Sequence, residues 1–205
     1  MLLFIIILTV VISIVSLYNN EVFYRLKFNP FLALHSGQWY RFFTYGFVHA
    51  GWMHLFINMF VLYSFGNVVI ECYVGIFGLK GYYYFVLLYI GAIMLSTLPS
   101  YGKHKNDPAY NAVGASGAVS AVVFASILFV PLGKIYLYFI PIGIPAFIFG
   151  GLYLIYSAYM SRRGQDNIGH DAHFWGALYG IVFTIALKPK IVFYFTDQIM
   201  GFFGS

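Results

Sequence analysis

Long apolar runs separated by short polar breaks dominate this chain. Met1 to Tyr18 is nearly continuous Leu, Ile and Val, about the length that crosses the hydrocarbon core of a bilayer. It lacks a basic leading stretch and a small-x-small cleavage site, which predicts a retained first span rather than a signal peptide. The pattern breaks over residues 19–50. There Asn19-Asn20, Asn29-Pro30 and Ser36-Gly37-Gln38 alternate with aromatics and with Arg25, Lys27 and Arg41, as in a loop lying at the membrane interface. Further apolar runs predict spans over about 52–72, 81–98, 113–130, 136–160 and 169–187. Pro99, the Pro131-Leu132-Gly133-Lys134 break and Lys188-Pro189-Lys190 close three of them. The aromatic tail after Lys190 reads as an interfacial helix.

Composition turns this pattern into a class. Apolar residues make up 61% of 205 positions and charged residues 8%, far below the roughly one quarter of a soluble domain. The expectation is an all-α membrane protein, one six-helix bundle over residues 1–205 with no soluble domain. The net charge of +5 is scattered over loops and gives no nucleic-acid footprint. The single cysteine, Cys72, excludes an internal disulfide.

Six spans put both termini on one side and make spans two, four and six begin on the other. The unusual polar residues sit at those three beginnings: His49, His54 and Asn58 on the second, Ser116 on the fourth, His170 and His173 on the sixth. Parity therefore places them at similar depth on one face. The loops on that side carry Arg25, Lys27, Arg41, Lys103, Lys105, Arg162 and Arg163, against Lys80, Lys134, Lys188 and Lys190 opposite. The positive-inside rule by itself favours the first set as cytoplasmic.

Each polar residue has a bland and a chemical reading. Gly114-Ala115-Ser116-Gly117 could be a small-residue packing surface, or could carry a serine nucleophile. His173 is followed by Gly176 and Gly180, so it shares a face with a stripe that can dock closely onto the small-residue face of the fourth span. Close approach is what a Ser–His hydrogen bond between two helices requires. His54 and Asn58, four residues apart, project two neutral donors from one face, as an oxyanion needs. The competing use of His49, His54, His170 and His173 is metal binding. Against it, the chain has no His-Glu-x-x-His motif and no cysteine pair, and the nearby carboxylate, Asp171, points to a different side of its helix from His173. A Ser–His dyad without metal or cofactor is the better reading.

Taken in order, Trp39-Tyr40-Arg41, His49 with His54 and Asn58, Gly114-Ala115-Ser116-Gly117, and Ala172-His173 with Gly176 and Gly180 resemble the rhomboid family of intramembrane serine proteases. The resemblance implies a nucleophile at Ser116, a base at His173, and an oxyanion hole from His54, Asn58 and the Ser116 N–H. His49 and the four motif glycines would support them. It also implies membrane-protein substrates within the bilayer, a membrane-dipping first loop, and a site on the outer face of a cell (inner) membrane with cytoplasmic termini. Some members carry an aromatic four residues after the nucleophile, where this chain has Ser120, and Tyr40 separates the Trp and Arg that usually adjoin.

Two other classes stand beside the protease: a proteolytically silent relative that binds membrane clients, and a small channel or transporter. The second predicts internal repeats or charges near mid-span, which the sequence lacks. Pro141, Gly143, Pro145 and Gly150-Gly151 inside the fifth run predict a kinked helix, a candidate lateral gate for substrate.

Overall fold

The computed structural model describes residues 1–137, 140–163 and 169–204. The first helix, α1 (Leu2–Tyr18), buries Thr9, Ser13 and Ser16 while leaving Phe4 70% and Ile7 60% exposed. Small polar residues inside and large apolar ones outside invert the pattern of a soluble protein. It is the arrangement of helices that pack in lipid, where small residues let backbones approach.

Three short helices follow: α2 (Asn20–Leu26), α3 (Pro30–His35) and α4 (Arg41–Thr44). Asn19 and Asn29 cap the first two by accepting the amides of Val22 and Leu32, and Pro30 begins α3, where its missing N–H is of no consequence. Arg41 staples the segment. Its guanidinium, 4% exposed, donates to the carbonyls of Tyr24 and Lys27 and to Gln38 Oε1. The Asn29 side chain also donates to the carbonyls of Pro108 and Tyr110, and Phe28 pairs with Ala112. The segment of short helices is thereby tied to the stretch of chain that leads into Ser116.

The bundle consists of α5 (Trp52–Phe77), α6 (Lys80–Leu95) with its continuation α7 (Leu98–His104), α8 (Ser116–Phe129), α9 (Ala146–Arg163), α10 (His170–Leu187) and α11 (Ile191–Phe203). At its centre is α8, buried from Gly117 to Phe129 and packed by α5, α6 and α10. Pro99 does not close its span as expected. It lies in the first turn of α7, where proline is tolerated.

One expectation from the sequence does not hold, and a second is met only in part. Residues Lys134–Leu137 (β1) and Ile140–Pro145 (β2) pair as an antiparallel hairpin, with Lys134 opposite Pro145 and Ile135 opposite Ile144. The fifth run is therefore not one kinked helix over 136–160. Proline disfavours helix both at its own position and at the one before it, so α9 starts only at Ala146, after both prolines. Of the five kink residues, Gly150 and Gly151 alone remain in a helix.

The count of six spans is also not reached by length and composition. Among the described residues two helical stretches, Trp52–Phe77 and Lys80–His104, are long and apolar enough to cross a membrane. A third is added if α10 and α11, bent by 112° at Lys188-Pro189-Lys190, are taken as one span. The helix α8 is short for a definite reason. Gly114 stands at a φ of 106° just before it and Pro131 stands just after it.

Candidate active site

The site is built around the start of α8. A Cβ on Gly114 would come 2.6 Å from His54 Cε1 and 2.8 Å from its Nε2. The His54 ring thus occupies the space where any other residue would carry a side chain, and the left-handed backbone there also favours glycine. The next amide, of Ala115, donates to His49 Nε2 at 3.3 Å. Ser116 follows as the first residue of α8, half-buried. The first amides of a helix have no intrahelical carbonyl to bond and form its positive end.

His49 is locked on both sides. The Ser13 hydroxyl donates its one proton to the Phe47 carbonyl at 2.8 Å, so His49 Nδ1–H donates to Ser13 Oγ, also at 2.8 Å. That leaves Nε2 as the acceptor the Ala115 amide meets, and fixes a neutral imidazole. Complete burial, with the His54 ring 4.9 Å away, holds its pKa down to about 3. His49 is therefore an acceptor that positions backbone rather than a proton carrier.

His54 takes the Ala50 amide on Nδ1 at 3.4 Å, which leaves its proton on Nε2, against Gly114. Asn58, buried, donates one amide hydrogen to the His54 carbonyl at 2.8 Å and retains a second. His54 Nε2–H and this second hydrogen are neutral donors on one side of the start of α8.

From the other side comes α10. A Cβ on Gly176 would lie 2.7 Å from the Gly117 carbonyl carbon and 3.0 Å from its Cα, and one on Gly180 would lie 2.7 Å from Ala121 Cα. A Cβ on Gly117 would in turn meet the Ala172 carbonyl at 3.1 Å. The two helices are in backbone contact over two turns, possible because glycine has no side chain to hold them apart. Ser116 and His173 each stand one residue from the touching pair Gly117 and Ala172. They share the same end of this seam.

His173, in the first turn of α10, has the Tyr153 ring of α9 stacked at 6.2 Å and 25° and the His170 ring at 5.9 Å. The Tyr153 hydroxyl shares a 2.7 Å hydrogen bond with Ser120 Oγ. Four of the six histidines fall into two pairs, His49 with His54 and His170 with His173. Among the described residues no three of His, Cys, Asp or Glu converge as a metal site would require. Asp171 is engaged by Lys103 and Ser161.

Ser13 and Tyr153 do not stand out in the sequence as site residues. Ser13 carried a signal, being one of three small polar residues spaced along an otherwise apolar helix. For Tyr153 the sequence carries no such signal, since it is one of 19 tyrosines.

A polytopic helical membrane protein with a serine and a histidine at one end of a glycine-lined helix seam is a narrow class. The model of the Rhomboid domain matches residues 36–190, and the chain belongs to the rhomboid family. It is 32% identical over 152 residues to RHOMBOID-like protein 12, mitochondrial, of Arabidopsis thaliana, covering 69% of this chain and 44% of that protein. It is 30% identical over 141 residues to the human presenilin-associated rhomboid-like protein, mitochondrial, covering 66% of this chain and 34% of that one. With Rhomboid-like protein 11, chloroplastic, of Arabidopsis thaliana the identity is 35% over 115 residues, 55% of this chain and 38% of the relative. The matched region thus spans less than half the length of these relatives. Their names also correct the expected location in a cell (inner) membrane with cytoplasmic termini, since these relatives are mitochondrial or chloroplastic. The domain match begins after α1, so the serine that locks His49 lies outside it.

Proposed function

We propose that this chain is an intramembrane serine endopeptidase that cuts transmembrane or membrane-proximal segments of other membrane proteins. The observation that carries the reading is the backbone contact of Gly117 with Ala172 and Gly176, which brings Ser116 and His173 to one end of the α8–α10 seam.

Ser116 Oγ attacks the scissile carbonyl as His173 takes its proton. The oxyanion is met by the Ser116 N–H, His54 Nε2–H and the remaining Asn58 amide hydrogen, donors fixed before the charge develops. His173 then gives the proton to the leaving amine, and the acyl group stays on Ser116. A water loses its proton to His173 and attacks the ester, and the proton returns to Ser116 Oγ as the acid leaves. No cofactor enters these steps.

The length of α8 favours such chemistry below the membrane surface. Its 14 residues rise about 21 Å, against a core of about 30 Å. A substrate helix must unwind locally to offer a bond to Ser116, so weak helix formers near the cut are the expected substrates. The mitochondrial and chloroplastic relatives favour an organellar membrane as the setting.

The test is fluorophosphonate labelling of membranes holding the wild type, Ser116→Ala or His173→Ala, with cleavage of a transmembrane substrate read in parallel. Both substitutions should abolish both signals, and the double variant should be no slower than either single one, because the pair acts as a unit. Labelling that survives Ser116→Ala sinks the proposal. A folded wild type that retains transmembrane clients and never labels is instead the proteolytically silent binding protein.

A further inference from the structure

Among the rings around the site, Tyr153 touches both helices that carry the candidate dyad. Its ring stacks on His173 of α10, and its hydroxyl is bonded to Ser120 of α8, one helical turn beyond Ser116. Phe124 of α8 at 5.7 Å and Phe149 of α9 at 5.9 Å flank the same ring. One turn before Tyr153, Gly150 sits on the same face of α9. A Cβ there would come within 3.1 Å of Ile127 Cδ1 and 3.3 Å of Phe124 Cε1, so the missing side chain lets α9 press against α8 at the level that delivers the ring.

We infer that Tyr153 is the positioning residue of the base: its ring, anchored through Ser120, sets the plane of the His173 imidazole toward Ser116. This rests on the reading of His173 as general base. The last side-chain torsion of a histidine is broad and roughly two-fold, so a flat surface against the ring narrows the planes it can adopt. A near-parallel ring within the usual range of aromatic centroid distances supplies that surface. The Ser120 bond fixes the far end of the tyrosine to the helix that carries the nucleophile, so base and nucleophile are referenced to one side chain.

The experiment uses the full chain in detergent and in proteoliposomes. It measures the rate of Ser116-dependent fluorophosphonate labelling against pH, kcat and KM on a transmembrane substrate, and the thermal midpoint. Tyr153→Ala should slow labelling and kcat by up to about 100-fold, the scale of a misplaced catalytic group. KM should be unchanged and the pH midpoint shifted. Tyr153→Phe, which keeps the ring, should recover all but about tenfold, the scale of one hydrogen bond. Ser120→Ala should match Tyr153→Phe, and the two together should do no more than either alone, because both break one bond.

Should Tyr153→Ala lose its fold, Tyr153→Leu keeps apolar bulk against Phe124 and Phe149 without a flat ring, and the same slowing is expected. A folded Leu or Ala variant with wild-type rate and pH profile overturns the inference while leaving the dyad standing. A wild type without Ser116-dependent labelling overturns both.

Discussion

The two histidine pairs at the start of α8 rest on unlike supports. His49 is wholly buried, and each of its ring nitrogens meets a fixed partner, Ser13 on one side and the Ala115 amide on the other. His173 stands half-buried in the first turn of α10, with a tyrosine ring against its face. One side of the site holds backbone still and the other presents an imidazole. An oxyanion hole works by donors that do not have to move, whereas a base must gain and lose a proton within one turnover. The contrast fits that division, and the glycine seam between α8 and α10 joins the two sides.

The largest expected effect comes from breaking the seam itself. Gly176→Ala places a carbon against the Gly117 backbone, which cannot turn aside as a side chain could. Overpacking of this kind costs about 1–3 kcal/mol. Here it should also part Ser116 from His173, with cleavage lost and the thermal midpoint lowered. A Gly176→Ala protein with normal cleavage would mean that the seam does not set the site.

Next comes the fixed side. His54→Ala should slow cleavage by about 10–1000-fold, the range for one oxyanion donor. Gly114→Ala should be similarly harmful alone, through its positive φ and its collision with the His54 ring. Adding it to His54→Ala should do less harm than it does alone, because the ring it strikes is gone. Strictly additive losses in the double variant would show that the His54 ring is not what excludes a side chain at position 114.

A smaller effect isolates His49. Ser13→Ala leaves its Nδ1–H without a partner and should cost about 1–3 kcal/mol of stability. The pH dependence has a definite sign. The folded-state pKa of His49 is depressed to about 3, from the ordinary histidine value of 6.5. Between those values the unfolded chain takes up a proton that the folded one refuses. Stability is thus full above pH 6.5 and lost as pH falls toward 3, by at most about 1.4 kcal/mol per pH unit for this group. The thermal midpoint of His49→Gln should fall less steeply over that window than that of the wild type. Parallel curves would remove His49 from the acid sensitivity.

The least effect is expected at the rim. Lys103 and Asp171 pair at 3.4 Å with the lysine 55% exposed, and exposed pairs contribute about 0–1 kcal/mol. Lys103→Ala should leave cleavage and thermal midpoint close to wild type, and a large loss would move Asp171 into the functional side of the site.

Much of the candidate site is legible in local spacing along the chain. Ser116 between glycines, His173 above a small-residue stripe, and His54 four residues before Asn58 each declare a face in this way. The helices announce themselves through long apolar runs. What those runs cannot declare is which face turns inward. A helix in lipid is apolar on both sides, so the amphipathic signal that orients a soluble helix is absent, and a ring such as Tyr153 looks like any other among 19 tyrosines. The fifth run misleads for a related reason. Its hydropathy fits a span, but two prolines place residues 140–145 in a hairpin, a choice made by backbone hydrogen bonding rather than by apolar content.

The sequence by itself determined the helical membrane class, the residue types available for chemistry and their order along the chain, because these depend on composition and on spacings within one or two turns. Only the tertiary structure decided that Gly114 yields its side-chain space to His54, and that Ser13 and Ala115 between them fix the tautomer of His49. It also set the pairing along the glycine seam, Gly176 on Gly117 and Gly180 on Ala121, and it alone brought the Tyr153 ring from α9 onto His173 with its hydroxyl on Ser120. Those contacts join residues tens of positions apart, and close packing of whole helices sets them rather than any preference written at one residue.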